Sequence, residues 1–295
     1  MPAPHDLTRR RALTAALATG LSLTAAACSS GSTDNAKGSS AAPGSSSATA
    51  SATTSSGPVG AADVPSKQEI LAKFGHRTPK AWGLNLPGQT LHVPPDGHAV
   101  ALTFDACGGP GGSGYDEKLI AMLRKHQVKA TLFLNQRWIT KNESLAKELA
   151  ADPLFQLGNH GLTHRPLWTT GRSAYGIAGT ESLSALYDEV RGARDWIAAH
   201  QSGHTIFFRS GTAYSDDIGV DVCTAMKSPF LGFSLNGDAG ATFTKEQIKA
   251  TLLTVKAGDV VISHMNQPTH ATAAGYASVL PQLIDSGVTF RHVSA

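Results

Sequence analysis

From residue 98 to residue 293, short apolar runs alternate with segments of helical periodicity, and few folds accommodate that order. Several runs, such as Val260-Val261-Ile262, are continuously apolar, as strands buried on both faces of a parallel sheet are. The pattern predicts strands at 98–105, 129–134, 154–158, 205–209, 230–235, 258–263 and 288–293, and helices at 116–126, 142–151, 181–200, 216–227, 244–256 and 275–286. Seven strands with six intervening helices favour a closed or nearly closed α/β barrel, and a doubly wound open sheet is the alternative.

Polar residues of the kinds used in catalysis follow the carboxyl ends of these predicted strands. In α/β barrels the loops at the carboxyl ends of the strands build the active site. We therefore expect one site from residues on five different strands. Its members are Asp105, His160, His164, Arg209, Asp238 and His264.

Two of these residues have a spacing that suits a metal ion. His160 and His164 are four residues apart, which lets two imidazoles face one ion. The chain holds a second pair with the same spacing, His200 and His204, but that pair precedes a predicted strand. The entry side of a barrel strand is associated with stability, so we interpret the second pair as surface residues and the first as metal ligands.

The first 63 residues have the composition of processing and linker segments. Three arginines, residues 9–11, precede an apolar stretch that ends at Cys28, and this arrangement resembles a twin-arginine export signal with a lipobox. We expect residues 1–27 to be an export signal and Cys28 to anchor the mature chain by lipid on the extracytoplasmic face of the membrane. Residues 28–63 are rich in Ser, Thr, Ala and Gly and predict a linker, and residues 64–295 form the catalytic domain.

Charge and cysteine content restrict the partners. The formal net charge is +3 and no basic run interleaved with aromatic residues is present, so we expect no nucleic-acid binding. An uncharged glycan or a polymer of mixed charge suits this balance better, and we expect a monomer. After Cys28 only Cys107 and Cys223 remain, and the sequence leaves open whether they form a disulfide or stay as two free thiols.

Taken together, these residues resemble the motifs of the polysaccharide deacetylases of the NodB-homology type, carbohydrate esterase family 4. The resemblance implies a distorted seven-stranded (β/α) barrel that removes N- or O-acetyl groups from polysaccharides. The chain departs from the family at Ala106, where the family has a second acid, and after Arg209, where it lacks a proline. The matching segments follow the family order and are Thr103-Phe104-Asp105, Asn159 to His164, Arg209 to Tyr214, Asn236-Gly237-Asp238 and Ile262-Ser263-His264.

The resemblance also implies a divalent metal, which we expect to be Zn²⁺, with Co²⁺ or another divalent ion as a substitute. His160 and His164 are its expected ligands. Because the family's carboxylate ligand is replaced by Ala106, another group must fill the third position. We expect Asp105 to serve as both ligand and base. Asp116, which also has the pattern of a helix N-cap, and a water molecule are the alternatives.

Catalytic roles follow from the same resemblance. Asp105 would take the proton of the attacking water, and Arg209 would pair with Asp105 and keep it ionised. His264, made more basic by Asp238, would protonate the leaving nitrogen. The expected reaction is removal of acetyl groups from peptidoglycan or chitin-type amino sugars, ahead of O-acetyl groups.

Two other functions remain open. Ala106 favours a non-catalytic glycan-binding protein on a deacetylase-like scaffold, and the acids Asp105 and Asp238 are the pair that a glycosidase would need. Aromatic residues in loops on the same face either stack on sugar rings or pack within the domain. They are Trp168, Tyr175, Tyr214 and Phe243.

Overall fold

The structure is a computed structural model that describes residues 64–294. The predicted export signal, the lipid site at Cys28 and the predicted linker lie outside the described residues. Within residues 64–294, every helix is too short or too polar to cross a membrane.

The described chain alternates strands with helices, and its elements are numbered here in chain order. The strands are β1 Trp82–Gly83, β2 Ala99–Ala106, β3 Ala130–Leu134, β4 Phe155–Asn159, β5 Ser173–Ala174, β6 Ile177–Ala178, β7 Ser215–Asp216, β8 Leu235–Asn236, β9 Val260–His264 and β10 Thr289–Phe290. The helices are α1 Lys67–Phe74, α2 Glu117–Lys125, α3 Gln136–Lys141, α4 Glu143–Ala151, α5 Leu183–Arg191, α6 Arg194–His200, α7 Asp217–Ala225, α8 Lys245–Leu252 and α9 Thr272–Asp285, with a 3₁₀ turn at Gly211–Ala213.

A parallel sheet in the order β4-β3-β2-β9-β8 forms the centre of the fold, and β10 pairs in parallel with the start of β2. Single bridges carry the sheet onward from β4, because Phe208 pairs with both Asn159 and Phe230. These contacts make a distorted α/β barrel, which confirms the predicted fold class.

The predicted strands at 205–209 and 230–235 are shorter than expected. The first is reduced to the bridge residue Phe208, and the second to a bridge at Phe230 followed by β8. After Phe208, the contact between these two segments is made by the side chain of Arg209 and not by its backbone. The guanidinium donates to the carbonyls of Leu231 and Gly232.

Alternation along β2 sorts its side chains between two layers. Leu102, Phe104 and Ala106 belong to the large cluster that packs against α2, α4 and α9, whereas Ala101 belongs to the cluster inside the barrel with Phe133. Because successive side chains of a strand point to opposite faces, Asp105 shares the inner face with Ala101. The period of the strand therefore aims this carboxylate into the barrel.

The helix predicted at 181–200 is divided into α5 and α6 at Gly192 and Ala193. A Cβ at Gly192 would collide with the backbone of Gly161 and Leu162, so the loop after β4 passes directly against the helix end. Tertiary contact with that loop, rather than local propensity, therefore ends α5. The helix α3 and the small hairpin of β5 and β6 lie outside the predicted elements.

Local sequence does explain the starts of two helices. Ser66 and Glu69 form a capping box at α1, as the sequence Ser-Lys-Gln-Glu predicts, and Thr244 and Gln247 form another at α8. Cys107 and Cys223 are both free thiols, which decides the alternative that the sequence left open.

Candidate active site

The register of the sheet places the first two site residues side by side. Asp105 at the end of β2 is the direct partner of His264 at the end of β9 and of Phe133 in β3. Because the strands are parallel, their carboxyl ends meet at one mouth of the barrel. The site is assembled there, as predicted.

Asp105 is fully buried and forms an ion pair with Arg209. The guanidinium Nη1 donates to Asp105 Oδ1 at 2.8 Å and to Thr103 Oγ1 at 2.8 Å, and its Cζ lies 4.3 Å from the centre of the Phe133 ring. Burial raises the pKa of the Asp105 carboxyl, but the charge of Arg209 and the nearby His160 outweigh it and hold the pKa below its ordinary value. The carboxylate is therefore ionised and available as a base.

His160 is held in one tautomer by the backbone. Its Nδ1–H donates to the carbonyl of Arg209 at 2.8 Å, which leaves Nε2 without a proton in the neutral ring. That Nε2 lies 3.7 Å from Asp105 Oδ2 and 3.8 Å from Cys107 Sγ. A histidine whose far nitrogen donates to a carbonyl is the usual arrangement of a metal-ligating imidazole.

His164 sits in a strained loop that a buried carboxylate organises. The backbone φ of His164 is 64°, in the left-handed region that residues with a side chain rarely adopt. Glu189 of α5, itself buried, accepts the backbone N–H groups of Thr163 and Arg165 and the Thr163 hydroxyl at 2.7–3.1 Å. Such strain persists only where the surroundings enforce it, and it clusters at functional sites.

Gly161 makes this contact between Glu189 and the His164 loop possible. Its φ is 84°, and a Cβ there would collide with the Glu189 carboxylate. The Asn135 side chain holds the same turn from the other side by donating to the carbonyls of His160 and Gly161. Sequence reasoning missed Glu189 because it lies in a helix between the predicted strand ends.

Cys107 completes a group of three metal-ligating side chains with His160 and His164. The ligand atoms of these three residues all lie within 4.8 Å of one another. Burial raises the pKa of the Cys107 thiol, but His164 and hydrogen bonds from the neighbouring imidazoles bring it well below its usual range. A thiolate and two imidazoles are a donor set that zinc accepts, so the residues present fit the metal that the sequence implies.

His264 and Asp238 form a second buried pair of side chains. Nδ1 of His264 lies 2.9 Å from Asp238 Oδ1, and the His264 backbone N–H and the Thr272 hydroxyl both donate to Asp238 Oδ2. Burial lowers the pKa of the His264 imidazole, but the charge of Asp238 and its hydrogen bond more than compensate and raise it well above its ordinary value. The protonated form of the His264 imidazole is therefore stabilised, which suits this side chain to donate a proton.

Asp105 and His264 face an open cavity of about 860 Å³. Asp105, Cys107, His164 and His264 form its floor, and the rim includes Tyr175, 76% of whose surface is exposed. The glycine-rich segment 108–112 forms part of the wall, and the Asn266 amide holds it by donating to the Gly112 carbonyl.

Aromatic side chains form a cluster next to Tyr175. Trp82 lies edge-on to Trp168, with 4.8 Å between ring centres, and Tyr214 is in contact with both Trp82 and Tyr175. The Arg172 guanidinium lies over both tryptophan rings. Of the four aromatic residues that the sequence offers for sugar stacking or packing, Trp168 and Tyr214 belong to this cluster and Tyr175 contacts it. Phe243 instead packs against the helix-side core.

All six polar residues predicted from the strand ends converge at this mouth of the barrel. Asp116 instead caps α2, because its Oδ1 accepts the backbone N–H of Leu119. The second pair of histidines with the same spacing lies apart from this group. His200 forms a hydrogen bond with the Trp196 carbonyl, and His204 forms one with the Leu157 carbonyl. The assignment of Asp105 as a metal ligand stays a prediction.

Comparison with known proteins adds sequence evidence to this geometry. Residues 92–227 match the family model described as polysaccharide deacetylase. A bifunctional xylanase/deacetylase from Pseudobutyrivibrio xylanivorans is 25% identical over 248 residues, which make up 80% of this chain and 35% of that protein. The chain spans 24% and 35% of the length of the two curated relatives that it matches.

Solved structures share the fold. A carbohydrate esterase family 4 pseudoenzyme from Bacillus anthracis aligns with a TM-score of 0.57 at 21% identity, over 70% of this chain and 67% of that chain. PdaA from Bacillus subtilis, a family 4 carbohydrate esterase, aligns with a TM-score of 0.55 at 16% identity, over 76% of this chain and 86% of that chain. Residues 92–227 thus match the polysaccharide deacetylase family model, and the described residues have the fold of carbohydrate esterase family 4 structures.

Proposed function

We propose that this protein is a metal-dependent hydrolase that removes acetyl groups from an acetylated polysaccharide, with N-acetyl groups of amino sugars as the preferred target. One observation carries the proposal. An ionised carboxylate, Asp105, and an imidazole whose pKa is raised, His264, lie on adjacent strands and line one cavity together with His164, and the ring of His160 packs against that of His164. Amide hydrolysis needs a base and an acid in this relation.

His160 and His164 would hold the metal. When bound, a divalent ion lowers the pKa of a water molecule and polarises the acetyl carbonyl. The protein side of the site is prepared for this role, because the Arg209 carbonyl fixes the His160 tautomer and Glu189 fixes the loop of His164.

The side chains then move two protons. Asp105 accepts a proton from water as the water oxygen bonds to the acetyl carbon, and Arg209 stabilises the carboxylate beforehand. His264 donates its proton to the nitrogen as the carbon–nitrogen bond breaks, and Asp238 stabilises the imidazolium until then. The products are acetate and the free amine.

The state of His264 favours an amide over an ester. A nitrogen leaving group departs only when it is protonated, and the Asp238 carboxylate keeps the pKa of His264 raised, so that the proton is present at neutral pH. The open cavity and the exposed Tyr175 beside the aromatic cluster suit a polymer that extends beyond the site.

A non-catalytic glycan-binding role is the second candidate. Ala106 stands where the family has an acid, and one of the structural relatives is described as a pseudoenzyme. Against it stands the intact pairing of Asp105 with Arg209 and of His264 with Asp238. A scaffold that only binds glycans has no need for an ionised base facing a protonated acid.

Acetate release tests the proposal. The purified protein is incubated with N-acetylglucosamine oligomers, peptidoglycan and acetylated xylan, with and without a chelator, and both acetate and chain length are measured. We expect acetate from the amino-sugar polymers, loss of that acetate with chelator, and unchanged chain length. His264→Ala should stop acetate release and keep the metal content.

Other outcomes would contradict the proposal. Glycan binding without acetate release would favour the binding role, and shortened chains would favour a glycosidase. Loss of metal from His264→Ala would show that this histidine is a ligand and not the acid.

A further inference from the structure

We propose that Cys107 is the third protein ligand of the metal, so that the site is formed by one thiolate and two imidazoles and contains no carboxylate. This inference rests on the proposed function in one respect, namely that His160 and His164 bind a metal ion. It replaces the expectation that Asp105 occupies the third position.

The period of β2 brings Cys107 to the site. Residues two apart on an extended chain point to the same face, so Asp105 and Cys107 both face the cavity, whereas Ala106 is fully buried in the helix-side core. Ala106, which stands where the family has an acid, thus points away from the two histidines, whereas Cys107 points toward them.

The distances fit a small metal ion. For typical zinc bonds of about 2.0–2.1 Å to nitrogen and about 2.3 Å to sulfur, tetrahedral ligand atoms lie roughly 3.4–3.6 Å apart. Cys107 Sγ is 3.8 Å from His160 Nε2, and no pair among Cys107, His160 and His164 exceeds 4.8 Å. Movements of about 1 Å or less would bring all three atoms onto one ion.

The orientation of His160 supports the same ion position. Its Nδ1–H is committed to the Arg209 carbonyl, so Nε2 is the ligating atom, and this atom points at the Cys107 sulfur. The tautomer therefore directs a lone pair into the space between the two side chains.

Asp105 is less suited to ligation, because its charge is already paired. Arg209 donates to Oδ1 from a fully buried position. Oδ2 lies 3.7 Å from His160 Nε2, as near as the Cys107 sulfur, so the pairing with Arg209 and not the distance to His160 separates the two candidates. With Cys107 as the ligand, Asp105 stays free to act as the base. Asp116 caps α2 through Oδ1, and it is Cys107 and not Asp116 whose ligand atom lies within 4.8 Å of those of both histidines.

This ligand set has consequences for metal choice. A thiolate ligand favours Zn²⁺ and other softer ions over Mg²⁺ and Mn²⁺, which prefer carboxylate and water oxygens. Three protein ligands leave one position of a tetrahedral zinc site open. We therefore expect the protein to retain zinc in the presence of a large excess of magnesium.

Cobalt spectroscopy of cysteine variants tests the assignment. The chain is stripped of metal and loaded with Co²⁺, and a thiolate ligand is detected as a sulfur-to-cobalt charge-transfer band in the near ultraviolet. Cys223→Ser is the matched control, because Cys223 is a buried thiol of α7. We expect the band in wild type and in Cys223→Ser and its absence in Cys107→Ser, together with a loss of zinc affinity of at least about 10–100-fold, the range seen when even an outer partner of a ligand is removed.

Two further variants separate ligation from folding and from catalysis. Cys107→Asp offers a carboxylate in place of the thiolate and should regain zinc without the charge-transfer band. Asp105→Asn should keep both metal and band while losing acetate release. Thermal unfolding of each variant shows whether it is folded.

The results distinguish this inference from the function on which it rests. A wild-type protein that binds Co²⁺ without the band, or Cys107→Ser with wild-type zinc affinity, would overturn the Cys107 assignment. Loss of metal in Asp105→Asn but not in Cys107→Ser would return the third position to Asp105. If the band is present but no acetylated glycan yields acetate, the metal site stands and the deacetylase function fails.

Discussion

Asp105 stays charged in a fully buried position because the Arg209 guanidinium supplies the opposite charge and donates a hydrogen bond to it. Arg209 is itself buried and has four partners, namely Asp105, Thr103 and the carbonyls of Leu231 and Gly232. A buried ion pair adds little stability over an apolar pair, but it leaves a costly uncompensated charge when one partner is removed. The pair is therefore better explained by the need for an ionised base than by stability.

The pairing of His264 with Asp238 predicts a change in pH dependence. Asp238→Asn removes the charge that, together with a hydrogen bond, holds the pKa of His264 well above its ordinary value. The pKa of His264 should fall, and since the acid works only when protonated, the alkaline limb of the kcat profile should move to lower pH. The measurement is acetate release against pH.

Asp285→Asn, at the exposed end of α9, is the control and should leave the profile unchanged. An alkaline limb that stays in place in Asp238→Asn would remove His264 as the group whose protonation is required.

Glu189 should control the metal site without contacting the metal. In Glu189→Gln, an NH₂ group replaces one acceptor oxygen facing the N–H groups of Thr163 and Arg165, which costs about 1–3 kcal/mol of unfolding free energy. The left-handed backbone of His164 then loses its support, so we expect zinc affinity to fall by about 10–100-fold, as for other residues that orient a ligand.

Chemical denaturation and zinc competition measure the two effects separately. Glu148→Gln, a surface partner of Arg124, is the control and should change stability by less than about 0.5 kcal/mol. Destabilisation of Glu189→Gln with unchanged zinc affinity would show that Glu189 only supports the fold.

At the scale of elements, apolar runs located the strands of the barrel but not how far each strand extends. β2, β3 and β9 are buried along almost their whole length, and their apolar runs identify them. The apolar run at 205–209 located a strand, but its reduction to a bridge at Phe208 depends on pairing with distant residues, which no local pattern encodes. The end of α5 at Gly192 likewise depends on a loop thirty residues earlier in the chain.

The site was predictable to the same extent. Strand ends located Asp105, Arg209 and His264, because the mouth of a parallel barrel collects them. Cys107 was missed, although its position two residues after Asp105 on an extended chain was a usable signal. Glu189 had no such signal, since its role arises from packing of α5 on the histidine loop.

Packing between β3 and β4 predicts a sensitive glycine. Gly158 is the direct partner of Phe133, and a Cβ at Gly158 would lie 2.6 Å from the Phe133 ring. That ring lies under Arg209. Gly158→Ala should therefore force the Phe133 ring to shift and cost about 1–3 kcal/mol of unfolding free energy. The shift should also disturb Arg209 and, through it, the proposed base Asp105.

Gly83→Ala in β1 is the matched control, because a Cβ there has nothing within 4 Å. Unfolding free energy and acetate release are measured for both variants. Equal stability of the two variants would mean that the sheet adjusts around Phe133 without cost.

At the scale of the whole molecule, the barrel separates support from chemistry. The helix-side core packs against one face of β2, while the carboxyl ends of the strands carry the proposed acid, the proposed base and the proposed metal ligands. The aromatic cluster of Trp82, Trp168 and Tyr214 lies beside the exposed Tyr175 at the rim of the cavity. A polymer bound across this rim would present one acetyl group at a time to the floor.

The location of the protein is the last prediction and concerns the segment before the described domain. Arginines 9–11 and Cys28 predict export followed by lipid modification of Cys28, and dual acylation gives the stable anchoring that a single chain does not. In a bacterial host, Cys28→Ser should move the protein from the membrane fraction to the soluble extracytoplasmic fraction, with acetate release by the purified protein unchanged. Replacing Arg9 and Arg10 by Lys should instead block export and leave the signal uncleaved.

Mass spectrometry of the mature wild-type chain should find a diacylglyceryl group on Cys28. An unmodified chain that begins elsewhere would contradict the lipid anchor while leaving export in place.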